Sequence, residues 1–242
     1  KQWYLDNTGQ SIQWFSGTSG IDIGWLDALD LYQKKETSFV AVFDSGFAKD
    51  HSELIGGNAY RVTEKNGVAG VDDDNNGYID DINGWDFIDN DNDPYDFKGH
   101  GTQVAGIIAA AKDGKGIQGI THDTFIYPLR VLDRDGRGNT ADIVEALEYV
   151  YQNSGIRIIN ISLGGGTFDP LLEEQFKMFQ KEDKVLIVAS AGNGGLDRKG
   201  DNNDWFPYYP STYNSSSIIS VASIDQKGNL SSFSNYGSST VD

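Results

Sequence analysis

An alternation of short apolar runs with segments of helical period is the feature that most constrains this chain. The runs at 39–43, 125–127, 156–161, 185–189 and 218–221 are rich in Val, Ile, Phe and Ala and are bounded by turn residues. They read as strands buried on both faces. Between them, 140–153 carries Ile143, Val144, Leu147, Val150 and Tyr151 at i, i+3 and i+4 spacing, and 171–180 carries a weaker stripe. This pattern predicts βαβ units, an α/β fold with a parallel sheet and helices on both faces. Ligands of such sheets sit beyond the carboxyl ends of the strands. Asp44 and Asn193 both lie just after a strand.

A chain of 242 residues is long enough for one sizeable core, and 1–242 reads as a single domain. The 36 acidic residues against 19 basic ones give a formal charge of -17. Such a surface repels phosphate backbones and anionic lipid, which argues against nucleic acid and membrane partners and favours cations. No run approaches the roughly 20 apolar residues of a membrane span, and Lys1-Gln2-Trp3-Tyr4 does not begin a signal peptide. Cysteine is absent, so there is no disulfide framework and no thiol nucleophile.

Three polar residues stand in positions that suit chemistry. Asp44 ends an apolar strand and precedes Ser45-Gly46, so its carboxylate emerges at the sheet edge; the ordinary reading is a strand-end turn aspartate. His100 lies between two glycines at the mouth of a small-residue helix, Val104-Ala105-Gly106-Ile107-Ile108-Ala109-Ala110-Ala111, a place suited to proton transfer, or simply to a capping or core histidine. His51 and His122 keep that ordinary reading. Asn193 follows the most apolar strand, where an amide N–H can aim at a developing oxyanion, or where asparagine merely makes a turn beside glycines.

Their order within local strings carries more weight than any one residue. Val40-Ala41-Val42-Phe43-Asp44-Ser45-Gly46, Gly99-His100-Gly101-Thr102 with Val104-Ala105-Gly106, Asn160-Ile161-Ser162-Leu163-Gly164-Gly165 and Ala191-Gly192-Asn193 resemble the successive signature blocks of the subtilisin-like serine proteases. The resemblance continues through Ser231-Ser232-Phe233-Ser234-Asn235-Tyr236-Gly237. It implies the three-layer subtilase fold and a secreted endopeptidase acting on polypeptides, in the medium, the periplasm or at the cell surface. By the same resemblance Asp44 orients His100, His100 is general base and then general acid, and Asn193 donates to the oxyanion. Ser162, Leu163 and Gly164, with the segment around Gly136, would pair with the substrate backbone as added strands. Ser190, Ala191 and Gly192 would floor the first specificity pocket and, being small, leave room for a large side chain. The Trp3-Tyr4-Leu5 start implies a preceding propeptide inhibitor.

The family's Gly-Thr-Ser-x-Ala-x-Pro serine block does not occur between Lys1 and Asp242. The domain is therefore expected to lack its C-terminal portion, with the serine beyond residue 242 or on a second chain, and this chain alone is expected to be inactive. The alternative is a noncatalytic pseudoprotease, or a calcium-bound protein-binding module. Gln103 stands where the family usually has a second histidine, and Thr121-His122 where it often has Ala-Pro.

Acidic and amide residues crowd into 72–96. Asp72, Asp74 and Asn76 alternate ahead of Gly77, the oxygen-ligand logic of a calcium loop, with Tyr78 and with Asp80 or Asp81 to close the shell. Gly84-Trp85-Asp86-Phe87-Ile88-Asp89-Asn90-Asp91-Asn92-Asp93 is similar to the calcium loop of thermitase-like subtilases, which implies Asp86, Asp91 and Asp93 as ligands with Asp89 in reserve. A further pair, Glu53 and Asp113, lies in segments matching another family site. Calcium is thus the expected cofactor, since so many carboxylates cannot crowd together without a counter-ion.

Overall fold

The computed structural model describes residues 2–12, 14–31, 38–54, 67–121, 124–152, 155–182 and 185–242. A hairpin of β1 (Ser11–Ile12) and β2 (Phe15–Ser16) and the short helix α1 (Trp25–Leu31) precede the central strand β3 (Ser38–Asp44). There follow β4 (Trp85–Asp86), α2 (His100–Ala109), β5 (Thr124–Arg130), α3 (Thr140–Gln152), β6 (Ile158–Ile161), α4 (Pro170–Glu182), β7 (Leu186–Ser190) and β8 (Ile218–Val221). Two of the anticipated positions, His122 and Asn153, lie outside the described residues.

Side chains alternate across β3 because strand periodicity is two. Val40 and Val42 pack with Ala105 and Ala109 of α2 and Ile126 of β5. Ala41 and Phe43 face the opposite way, into the larger core of Val144, Leu147 and Tyr149 from α3 and Leu172, Phe176 and Phe179 from α4. Helices therefore cover both faces of a six-stranded sheet of order β4-β5-β3-β6-β7-β8, and every pairing within it is parallel. Fully burying a side chain such as Phe43 stabilises by about 1.5–3 kcal/mol. The chain runs from β3 out to β5 on one side and returns to β6 on the other. The switch in direction opens a crevice at the carboxyl end of β3, where Asp44 lies.

The anticipated strand 125–127 extends to Arg130 through Pro128. A proline donates no ladder hydrogen bond, so periodicity stops the strand too early; tertiary pairing to β3 and to the two-residue β4 carries it on. The run 156–161 forms a strand only from Ile158, while Ile156 is buried in the core ahead of it. β1, β2 and β4 are too short to leave a periodic signal.

Candidate active site

Gly101 lets the start of α2 close on the end of β3. A Cβ there would lie 2.2 Å from the Gly46 carbonyl oxygen and 3.0 Å from the Asp44 Cβ, so any larger residue would push the helix away. His100, one position earlier, consequently meets Asp44: its Nδ1 lies 2.7 Å from Oδ1 and 2.9 Å from Oδ2. Asp44 is fully buried, whereas the histidine side chain is half exposed. Asp44 Oδ1 also accepts from the Ser45 backbone at 2.7 Å. Bonding to this carboxylate raises the His100 pKa above its ordinary value of 6.5, against burial, which lowers it.

Asp96 ties the two elements together. Its Oδ1 accepts from Ser45 Oγ at 2.9 Å and from the Gly99 backbone at 2.7 Å, and its Oδ2 accepts from Thr102 N at 2.8 Å and Thr102 Oγ1 at 2.6 Å. Burial pushes this carboxyl up, but the bonds from Thr102, Gly99 and Ser45 more than offset it and leave it below its ordinary value. Gly99, left-handed at φ 89, offers no side-chain cap of its own. Asp96 serves the orphan N–H groups of the helix instead. An aspartate three residues before a helix-opening glycine was the available signal for this role.

His100 lines a cleft of about 730 Å³ whose walls include Gly136, Ser162, Leu163, Gly164, Tyr208 and Tyr209. His100, held from behind by buried Asp44, and the four anticipated wall residues thus meet at one crevice. Asn193 stands on an exposed turn after β7 and does not line the cleft. That turn is built by two asparagines that local patterning does not single out. Asn235 donates its backbone N–H to the Gly192 carbonyl at 2.9 Å and accepts at Oδ1 from Gly194 N at 2.7 Å. Its amide reaches the buried Asn203 at 3.0 Å, and Asn203 donates to the Ala191 carbonyl at 2.8 Å. Ser190, Ala191 and Gly192 do not line the cleft either. Ser238 and Ser239 are held by Asp204, which accepts from both backbones at 2.8 and 3.1 Å, and from Thr240 Oγ1, whose hydrogen bond is the strongest influence holding that carboxyl at about 2.

The acidic stretch divides into two different arrangements. Asp72 and Asp74 each accept from the Asn76 backbone at 3.1 Å, and Asp81 accepts from Asn76 Nδ2 at 2.9 Å and from the Tyr149 hydroxyl. Three carboxylates therefore turn hard oxygens toward one residue, a donor set that suits calcium. Tyr78 points its ring into the aromatic core, 5.0 Å from both Trp85 and Tyr149, and Asp80 accepts from Gly70 N at 2.7 Å. The second arrangement is centred on a cation already present: Arg130 binds Asp86, and binds Asp89 at 2.7 Å. Asp91 accepts from Asp93 N, and Asp93 pairs with Lys49 at 3.1 Å. Glu53 accepts from Ile117 N and Asp113 from Lys115 N, so each braces a loop. Among the described residues no three His, Cys, Asp or Glu side chains stand grouped as a ready metal cluster, and no helix is long and apolar enough to cross a membrane.

The chain is similar in sequence and in fold to known proteins. The chain is 40% identical over 157 residues, 64% of its length, to a thermophilic serine proteinase of Bacillus sp. (strain AK1), and 34% identical over 200 residues, 82% of its length, to thermitase of Thermoactinomyces vulgaris. It spans 36% and 59% of the lengths of those two relatives. The crystal structure of a cold adapted subtilisin-like serine proteinase superposes with a TM-score of 0.64 at 26% identity, covering 98% of this chain and 69% of that one. A psychrophilic subtilisin-like protease from Pseudoalteromonas sp. AS-11 gives 0.63 at 25% identity, covering 85% and 40%. With the Subtilase family profile matched across residues 35–242, and an aspartate and a histidine joined at the sheet's switch point, the chain belongs to the subtilase family.

Proposed function

We propose that residues 1–242 are the N-terminal part of the catalytic domain of a secreted, calcium-stabilised serine endopeptidase that hydrolyses polypeptides, with the nucleophilic serine contributed from outside these residues. The observation that carries this reading is the contact of His100 Nδ1 with buried Asp44 at the rim of the cleft. A carboxylate on Nδ1 fixes the tautomer in which Nε2 is free to act as a base. In this reading His100 takes the proton of the serine hydroxyl as its oxygen attacks the substrate carbonyl. The Asn193 amide donates to the resulting oxyanion, and His100 then passes the proton to the leaving amine. Water repeats the sequence on the acyl-enzyme and regenerates the serine.

Support for peptide binding comes from the cleft walls. Among the described residues Leu163 and Gly164 make no main-chain hydrogen bond to another main-chain group, so their N–H and C=O can pair with an extended peptide. Calcium would be held by Asp72, Asp74, Asn76 and Asp81, which hydrogen bonds already draw together around Asn76, and would supply counter-charge that fixes the loop. The propeptide and the extracellular, periplasmic or cell-surface location belong to the same reading. Labelling of the full protein by a fluorophosphonate tests it: labelling lost in His100→Ala is expected, and a folded full-length protein that does not label overturns it. Peptide binding without labelling would instead assign the noncatalytic binding module.

A further inference from the structure

Of Ser190, Ala191 and Gly192, none of which lines the cleft, Gly192 is parted from the cleft wall at Gly164 by Tyr208. Its ring spans the gap between the ends of two neighbouring strands. A Cβ on Gly192 would lie 3.0 Å from Tyr208 Cδ1 and 3.1 Å from Cγ, while one on Gly164 would lie 2.6 Å from Cε1 and 3.1 Å from Cζ. One glycine thus grips each end of the ring. The backbone is equally fixed: the Tyr208 carbonyl accepts from Ser211 Oγ at 2.7 Å, Thr212 Oγ1 at 2.8 Å and Thr212 N at 3.0 Å. The next residue, Tyr209, exchanges both main-chain bonds with Gly165, at 2.9 and 2.7 Å.

We propose that Tyr208 closes the pocket for the side chain of the residue whose carbonyl is attacked, so that this chain accepts Gly, Ala or Ser there and rejects aromatic and long aliphatic residues. The inference rests on the peptidase reading above. A side chain the size of Phe would have to displace a ring packed against backbone on two sides, and close-packed surroundings yield only at a cost. The small residues at the end of β7 leave space, and that space is filled from within the chain.

Equilibrium titration of the full protein with two non-hydrolysable reduced-amide peptides tests this, the peptides differing only in Ala or Phe before the reduced bond. The wild type is expected to bind the Ala peptide at least about 10-fold more tightly, the scale of discrimination that pocket volume provides. Tyr208→Ala should reverse the order, and Tyr208→Phe, which keeps the ring, should not. Equal affinity for both peptides in the wild type overturns the proposal even where Tyr208→Ala does not fold, as does an unchanged ratio in a folded Tyr208→Ala or binding of neither peptide. Fluorophosphonate labelling separates the two readings: labelling without Ala preference sinks the pocket alone, and Ala preference without labelling sinks the peptidase alone.

Discussion

Arg130 and Asp86 stand at adjoining strand ends, on β5 and β4, and form an ion pair in which the two side chains are only 2% and 1% exposed. Arg130 also sits beside Asp44 in the β3–β5 register. The strand end that carries Asp44 is therefore braced by a buried charge pair.

Removing Arg130 leaves the Asp86 carboxylate buried without its counter-ion, whereas removing Asp86 leaves Arg130 still paired with Asp89. Arg130→Met is expected to destabilise the fold by about 3–5 kcal/mol, and replacing Asp86 by Leu as well should recover most of the loss. Urea unfolding of the wild type, both single variants and the double variant measures this. Arg130→Met within about 1 kcal/mol of the wild type would contradict it.

In the proposed mechanism Asn193 and its support Asn235 both act on kcat, and they differ in what they do to stability. Asn193→Ala in the full protein should lower kcat by about 10²–10³, the magnitude found for the oxyanion asparagine of subtilisin itself, with little change in KM. Asn235→Ala removes the acceptor for Gly194 N and the link to Asn203, so it should lower kcat through the position of the turn and also lower the melting temperature. Steady-state kinetics together with thermal melts distinguish the two; Asn193→Ala should leave the melt unchanged.

The pH dependence follows from the raised His100 pKa. A group whose folded pKa is raised contributes stability that is complete below its unfolded value and is lost as pH rises through the folded one. Catalysis runs the other way, since the base must be neutral. We expect kcat/KM to rise with pH about a midpoint above 6.5, and Asp44→Asn both to lower the rate by about 10⁴ and to move the His100 titration down. Proton NMR of the His100 ring across this range reads the midpoint directly, and a midpoint below 6.5 would be inconsistent with the Asp44 contact.

Chelation tests the cation reading of loop 72–81. A ligand bound only by the folded state at a hundredfold excess over its Kd stabilises by about 2.7 kcal/mol, so EDTA should lower the melting temperature by several degrees and excess calcium should restore it. The double variant Asp72→Asn with Asp74→Asn should abolish the response, whereas Asp89→Asn, on the Arg130 side, should keep it. Identical melts with and without EDTA would rule calcium out of this loop.

The residues set the secondary structure wherever burial imposes a period. The strand runs 39–43 and 218–221 fall on observed strands, 185–189 does so from Leu186, and the stripe from Ile143 to Tyr151 lies on α3, because an apolar face must be buried whatever it packs against. Asp44 and His100 were legible for a related reason: each sits at a fixed offset from such an element, with glycines that serve close approach. What the sequence could not show is which distant groups share a space. Nothing local links Asp96 to Ser45, Asn235 to Gly194 or Arg130 to Asp86, 51, 41 and 44 positions apart. The tertiary structure alone decided that Asp86 and Asp89 of the acidic stretch face an internal arginine, and that Gly192 after β7 lies against Tyr208. Periodicity fixes which face of an element is buried; only the packed chain fixes which side chain fills the space beyond it.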